Sequence, residues 1–388
     1  MRIGASLMIG SGLAAILWTA AGAAAASGLE VTNLVSDGAV PAAHTDPNLI
    51  NPWGVSSAPG GDFWVSDNNS GLTTLYNTAG APQSLVVTIA PPSGGTGPAA
   101  PTGQVYVGGL GFKVSNGSKT GAAAFIFDTE DGTISGWAPS VNATKTELAV
   151  DNSASGAVYK GLAIASIGSS SFLYAANFED DEVEVYNSSF DLVNTFTDPN
   201  VAAGYAPFNV QTIDGKLVVT YALQDSAKHD NVAGAGLGYV DIFNLDGTLD
   251  KRLVSAGGMV DAPWGVDIAP ASFGKFAGDL LVGNFGDGTI SAFNFNTGAF
   301  EGQLTDSAGN VIDIEDLWAL VTGSGGSGGL KDKVYFTAGL ADEGDGLIGS
   351  IGVPEPQAWA LMLIGCGVTG ARLRRRRPST AGGLAQPA

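Results

Sequence analysis

An all-β fold, a six-bladed β-propeller of four-stranded meanders, follows from three observations on the sequence: a short motif returns six times, strand-like runs follow each return, and the last unit is one run short. The motif reads Pro52-Trp53-Gly54-Val55, Pro101-Thr102-Gly103-Gln104, Tyr159-Lys160-Gly161-Leu162, Pro207-Phe208-Asn209-Val210, Pro263-Trp264-Gly265-Val266 and Leu317-Trp318-Ala319-Leu320. Its second residue stands at 53, 102, 160, 208, 264 and 318, so the successive spacings are 49, 58, 48, 56 and 54. Self-similarity at such a period marks an array of modules that bury their faces against one another, and radially repeated meanders make a propeller.

The unit from Ala262 to Leu304 shows the pattern in full. Its runs are Trp264–Ala269, Asp279–Asn284, Thr289–Asn294 and Ala299–Leu304, separated by Pro270, Gly286-Asp287-Gly288 and Asn296-Thr297-Gly298. Apolar runs broken by such turn residues read as antiparallel strands. The middle runs recur as Phe63–Ser66 with Thr73–Asn77, Phe125–Phe127 with Gly132–Trp137, Leu173–Asn177 with Glu182–Asn187, and Leu217–Thr220 with Tyr239–Asn244. In the sixth unit Val334–Thr337 and Leu347–Ile351 lead straight into a different kind of segment, which leaves three strands. Glu30–Ser36 resembles the fourth strand Arg252–Ser255, so the amino-terminal strand is expected to complete the sixth blade and close the ring. The propeller then spans 28–352. Pro91–Pro101, Gln224–Gly238 and the glycine/serine stretch Gly323–Gly329, expected to be flexible, are insertions between strands.

Composition narrows the function. The 388 residues include 57 glycines, with only 14% charged residues, as suits many turns and short strands. Removing Arg2, Arg372 and Arg374 to Arg377 from the 17 bases leaves 11, and removing Glu355 from the 37 acids leaves 36, a net of −25 for the central region. That surface repels phosphate backbones, which excludes nucleic acid as a partner. Cys366 is the single cysteine, so there is neither a disulfide framework nor a thiolate metal site. His44 and His229 stand apart in the chain and suggest no metal centre.

The ends read as addresses. Residues 1–26 carry Arg2, an apolar run from Ile3 to Trp18 and the small stretch Ala20–Ala26, the order of a secretory signal peptide; an uncleaved anchor is the alternative, and both imply export. Val353-Pro354-Glu355-Pro356-Gln357 precedes the apolar run Ala358–Ala371 and the arginines up to Arg377. Fourteen apolar residues make a helix of roughly 21 Å, short of the roughly 30 Å hydrocarbon core, and the arginines favour the cytoplasmic side.

This order over 353–377 resembles the PEP-CTERM sorting signal of Gram-negative bacteria. The resemblance implies a membrane-embedded exosortase as a transient partner, with Pro354, Glu355 and Pro356 as its recognition element. It further implies a transmembrane helix before processing and Arg374, Arg375, Arg376 and Arg377 as the stop signal. The tail 378–388 departs from the usual pattern, and an ordinary membrane anchor is the alternative. The implied destination is the inner membrane as a precursor, then the cell surface or the extracellular space.

The six openings resemble those of the NHL and SMP-30/gluconolactonase propellers. In the lactonases such openings bear metal ligands, whereas here they bear Trp53, Thr102, Lys160, Phe208, Trp264 and Trp318. Indole and phenyl rings do not ligate a hard cation, so no metal and no cofactor are expected, calcium being the one cation considered. A streptogramin-lyase-like reaction needs a histidine base, which two histidines scarcely supply. Gly325-Gly326-Ser327-Gly328-Gly329 satisfies G-x-S-x-G only in a glycine linker. The acidic stretches Glu179–Glu182, Asp313–Asp316 and Asp342–Asp345 lack EF-hand spacing and read as solvated; Glu182 and Glu184 alternate with Val183 and Val185, as on a strand with one wet face. Asn51–Gly54 and Thr129–Trp137 resemble an uncharacterised family of bacterial secreted propellers. Together these readings describe an exported, non-catalytic binding or scaffold propeller with no catalytic residues. Its ligand face would hold Trp53, Phe208, Trp264, Trp318, Asn209 and Asp267, with an exopolysaccharide or small molecule as partner. The alternative is a hydrolase or lactonase acting in the channel.

Overall fold

Runs such as Leu217-Val218-Val219 are apolar at consecutive positions because successive side chains on a strand point to opposite faces, and here both faces are covered. Leu217 and Val219 pack with Tyr174 and Val185 of the preceding sheet, whereas Val218 packs with Val266 and Leu280 of the next. This sandwiching repeats around a ring of six antiparallel sheets. The computed structural model describes residues 28–354. The expected signal peptide and, from residue 355 onward, the sorting segment and the tail lie outside the described residues. Among the described residues no helix is long and apolar enough to cross a membrane.

From the channel outward, blade 1 comprises Pro52–Ser57, Phe63–Asp67, Leu72–Tyr76 and Val87–Thr88, and blade 2 comprises Pro101–Tyr106, Phe125–Thr129, Thr133–Trp137 and Glu147–Asp151. Blade 3 holds Tyr159–Ile167, Ser170–Asn177, Glu182–Asn187 and Leu192–Phe196; blade 4 holds Tyr205–Ile213, Lys216–Gln224, Tyr239–Phe243 and Leu249–Val254. Blade 5 is Pro263–Ile268, Leu280–Asn284, Ile290–Phe293 and Phe300–Gln303, and blade 6 is Leu317–Thr322, Lys333–Ala338, Leu347–Gly352 and the amino-terminal Glu30–Ser36. The expected clasp is therefore present: Val31 lies opposite Ile351 and Thr32 opposite Ser350, antiparallel, with Val35 fully buried. A short parallel strand, His44–Thr45, lies outside it.

The sequence motif marks a β-bulge. In blade 3 Tyr159 and Gly161 face Asn177 and Ala176, leaving Lys160 as the extra residue; in blade 4 Phe208 is extra between Pro207 and Asn209. The register slips at the matching point in the other four blades. A bulge re-aims its side chain, and here it turns the motif's second residue toward the axis. Strands meeting at an axis leave little room, so Gly103 and Gly265 sit where a Cβ would strike the backbone of Leu162 and Trp318 on the adjacent blades.

Each pair of neighbouring blades is also tied by a polar side chain. Gln104 Nε2 donates to Gly54 O at 2.8 Å, Thr102 Oγ1 to Tyr159 O at 2.8 Å, and Thr212 Oγ1 to Ile164 O at 2.9 Å. Asn209 Nδ2 donates to Trp264 O at 2.8 Å, Thr322 N to Asp267 Oδ2, and Thr337 Oγ1 to Trp53 O at 2.6 Å, which closes the circle.

Three expectations need correction. Glu184 is not on a wet face: it is 5% exposed and accepts hydrogen bonds from Asn177 Nδ2, Tyr159 OH and Tyr186 OH. Alternation within a blade distinguishes two neighbouring blades rather than core from solvent. The Gly323–Gly329 stretch is a hydrogen-bonded turn, with Ser324 N on Gly328 O at 2.8 Å, and it reaches blade 1 through Ser327 N on Gly60 O and Thr78 Oγ1 on Gly326 O. A hairpin, Lys113–Ser115 with Thr120–Ala122, projects from blade 2 where no strand was expected, packing Val114 on Ala138 and Val141.

Deleting Gly28–Ser36 would leave Leu347–Gly352 as an open edge, ready to pair with another chain. A lower melting temperature and concentration-dependent association in size-exclusion chromatography are expected; an unchanged, monomeric chain would contradict the clasp.

Candidate functional site at the upper end of the channel

The bulged residues meet on the axis at the end where the inner strands begin, called here the upper end. Trp53 and Trp318 stack with centroids 3.5 Å apart at 20°, and Trp264 stands edge-on to both at 6.0 and 5.8 Å. Phe208 and Phe285 complete the contact around Trp318 at 5.9 and 4.2 Å. These aromatic groups form one buried cluster with Phe178 and plug the channel. The edge-to-face contacts of Trp264 have the geometry such rings favour.

Where four other blades contribute rings and blade 2 contributes Thr102, blade 3 contributes Lys160. Its carbonyl accepts the Trp264 indole N–H at 2.9 Å, and its ammonium lies 5.2 Å from the Trp53 ring and 5.8 Å from that of Phe178. Only 2% of the side chain is exposed. A buried ammonium demands a counter-charge, and two carboxylates supply it: Glu130 in direct ion contact and Asp230 at 3.5 Å. Glu130 sits in the turn between the second and third strands of blade 2, and its other oxygen accepts Asn68 Nδ2 at 2.8 Å. Asp230 comes from the Gln224–Gly238 insertion, which folds as a short hairpin extension with Asn231–Val232 paired to Leu223 and Gln224. Its Oδ1 lies 2.9 Å from His229 Nδ1. Burial works to raise the Asp230 carboxyl, but Lys160 and His229 outweigh it and hold the group below the usual range.

A further carboxylate arrives from blade 6. Ala341, Asp342 and Glu343 take φ of 59°, 53° and 63° in a single left-handed turn, a conformation that side chains other than glycine adopt reluctantly. Asn69 Nδ2 holds Glu343 O at 2.7 Å, and Asn51 bridges the Glu343 carboxylate and Trp318 Nε1. Burial, chiefly, pushes Glu343 up to about 7; Glu130 and Asp316 add to the rise, against Asn51 and Lys160.

The expected site residues are thus dispersed between two roles. Trp53, Phe208, Trp264 and Trp318 are the plug, each 4% exposed or less. Asn209 and Asp267 are ties between blades, with Asn209 Oδ1 also taking Val210 N and Asp267 Oδ1 taking Ile268 N. Lys160, Glu130, His229, Asp230 and Glu343 were missed as a group. One signal was available in the sequence: Lys160 is the only cation among six bulge positions otherwise held by rings and a threonine, and it called for carboxylates from the upper turns.

Glu130, His229 and Asp230 each offer a ligand atom, all within 4.8 Å of one another. The Lys160 ammonium is already paired with two of these three, so a divalent ion would have to displace a fixed cation, and the mixed nitrogen and oxygen set is not one that calcium prefers.

No family model matches the chain. The uncharacterised protein R648 of Acanthamoeba polyphaga mimivirus is 33% identical over 331 residues, covering 83% of this chain and 80% of that protein. The uncharacterised protein L690 of the same virus is 32% identical over 332 residues, 83% and 85% of the respective chains. The chain belongs to the family of these proteins. They are viral, whereas the sequence resemblance pointed to bacterial relatives. Among solved structures, virginiamycin B lyase from Staphylococcus aureus is 13% identical with a TM-score of 0.47, covering 84% of this chain and 98% of that one. The PQQ-bound aldose sugar dehydrogenase of Streptomyces coelicolor is 12% identical with a TM-score of 0.49, covering 85% and 99%. The likeness is to the fold alone.

Glu343 gives the upper end a pH signature. Its carboxyl rises from 4.5 to about 7 on folding, so between those values the folded chain holds a proton that the unfolded chain has lost. Stability therefore falls as pH rises through that window, by up to about 3 kcal/mol. Glu343→Gln, which has no proton to lose, is expected to flatten this part of a profile of unfolding free energy against pH; an unaltered profile would show that Glu343 is not its source.

Proposed function

We propose that this chain is an exported binding propeller whose upper channel end holds a polyhydroxylated ligand such as an exopolysaccharide. The observation that carries this reading is the fixed set of polar groups above the plug. Lys160, Glu130 and Glu343 are each held by a neighbour, through ion pairing or an asparagine amide. Planar carboxylate and amide groups locked in place by their supports are what a site needs to bind hydroxyls without reorganising. Export would follow from the amino-terminal signal, and an exosortase acting near Pro354, Glu355 and Pro356 would deliver the propeller to the cell surface or matrix. Before processing, the apolar helix would hold it in the inner membrane.

One observation favours a hydrolytic second reading. A carboxyl near 7 beside a buried lysine, as Glu343 is, can serve as a general acid at neutral pH.

Affinity electrophoresis through gels containing the producing cells' exopolysaccharide separates the readings. Lys160→Met should weaken retention by about tenfold or more, as expected when one partner of a buried charge pair is removed, while the melting temperature reports that the variant is folded. A folded variant retained like the parent would overturn the binding site. Hydrolysis of sugar esters or lactones that Glu343→Gln abolishes would favour the enzyme. Destination is tested separately by deleting residues 353–377 and fractionating cells. The deleted form should leave the surface fraction, and unchanged localisation would remove the sorting step.

A further inference from the structure

Below the plug the channel opens into a second space. Its volume is about 250 Å³, and its walls come from the inner strands of blades 1 to 4, with Trp264, Ala319 and Leu320 completing the lining. Its rim lies at the lower end, where Ser57 Oγ meets Ser324 Oγ at 3.1 Å. We propose that this blind cup binds a small neutral molecule rich in hydroxyl or amide groups, no larger than a hexose.

Charge, size and wall chemistry each bear on that. In a chain whose central region carries 36 acids and 11 bases, no aspartate, glutamate, lysine, arginine or histidine lines the cup. Phosphates and carboxylates find no cation there, and ammonium groups and metal ions find no anion. Lys160 and Glu343 are on the far side of the aromatic plug, and the Asp267 carboxylate, on the inner strand of blade 5, is taken up by Thr322 N and Ile268 N. As to size, an engineered cavity of about 150 Å³ accepts benzene, and at about 30 Å³ per water the cup would hold about eight waters, so a ligand of hexose size would displace a handful of solvent molecules.

The walls are amphipathic. Inner strands are edge strands of their blades, so backbone N–H and C=O groups that do not pair with the second strand face the axis. Several are already used by the ties between blades, as Gly54 O is by Gln104 and Ile164 O by Thr212. Ser56 donates to Gln104 Oε1 at 3.1 Å, whereas the Gln211 amide makes no hydrogen bond within the described residues and stands on the wall. Between these polar groups lie Val55, Ile164 and Leu320. A pyranose has the complementary pattern of apolar ring faces and a hydroxylated edge.

The test is calorimetric titration of the full chain with glucose, galactose and mannose, beside gluconate and glucosamine as charged counterparts. At least one neutral sugar should bind with a dissociation constant of about 1 mM or tighter, and its charged counterpart about tenfold more weakly or worse. Ser56→Trp, which fills the cup, should abolish the heat of binding while leaving exopolysaccharide retention at the upper end unchanged. Gln211→Leu should weaken binding and decides the matter if Ser56→Trp does not fold. No binding by any neutral sugar, equal binding of the charged counterparts, or binding that survives both substitutions would overturn the proposal and leave the cup a water-filled part of the channel.

Discussion

Six edge strands converging on one axis set the terms for everything else in this chain. At the points of closest approach the backbones come so near that Gly103 and Gly265 cannot carry a Cβ, and one step earlier each inner strand bulges and sends a side chain toward the axis. Crowding and bulging are two sides of one constraint. At the upper end the bulge provides the filler, while at Gly103 and Gly265 the glycine after it provides the space. The polar ties from Gln104 round to Thr337 satisfy groups that the inner edges would otherwise leave buried and unpaired. Asn209 and Asp267 belong to this set, which explains why polar residues occupy positions that are 4% exposed or partly buried beside the channel.

The filler also divides the channel electrostatically. Above the stacked Trp53 and Trp318, blades 2, 4 and 6 send carboxylates in from the turns between their second and third strands, and blade 3 answers with Lys160. Below it no charged residue lines the cup, and Asp267 beside it is bonded to the backbone of Thr322 and Ile268. The rings supply the low-dielectric layer in which an ammonium is costly unless paired, so the plug and the ion cluster above it depend on each other. The Lys160 side chain packs on Trp53 and Phe178 and would be an unpaired buried charge without Glu130 and Asp230.

Much of the fold was legible because blade architecture is written in local terms. The four runs expected between Ala262 and Leu304 match Pro263–Ile268, Leu280–Asn284, Ile290–Phe293 and Phe300–Gln303 to within about two residues, and the missing strand of the sixth unit pointed to Glu30–Ser36. Misreadings arose where a local pattern has two tertiary meanings. Alternation at Glu182–Val185 suggested solvent on one side, yet a second blade lies there and Glu184 is enclosed by Tyr159, Tyr186 and Asn177. The hairpin at Lys113–Ala122 went unseen because its strands are three residues each, too short for a period to show.

The upper cluster was less legible than the fold, and the cause is topological. Glu130, Lys160, Asp230 and Glu343 are spread over more than two hundred positions of the sequence and share no motif. What brings them together is that a meander places the start of its first strand and the turn after its second at the same end of the sheet. Once the ring is drawn, Gln224–Gly238 can only extend over the upper end, so His229, isolated in the chain, lies beside Asp230 and within reach of Glu130. Insertion position and strand direction therefore carry the information about this site, and a cation among the bulge residues says which charge the neighbouring turns must bring. In such a ring the polar chemistry of one end is set by which loops are long, while the aromatic plug separates it from the uncharged cup at the other end.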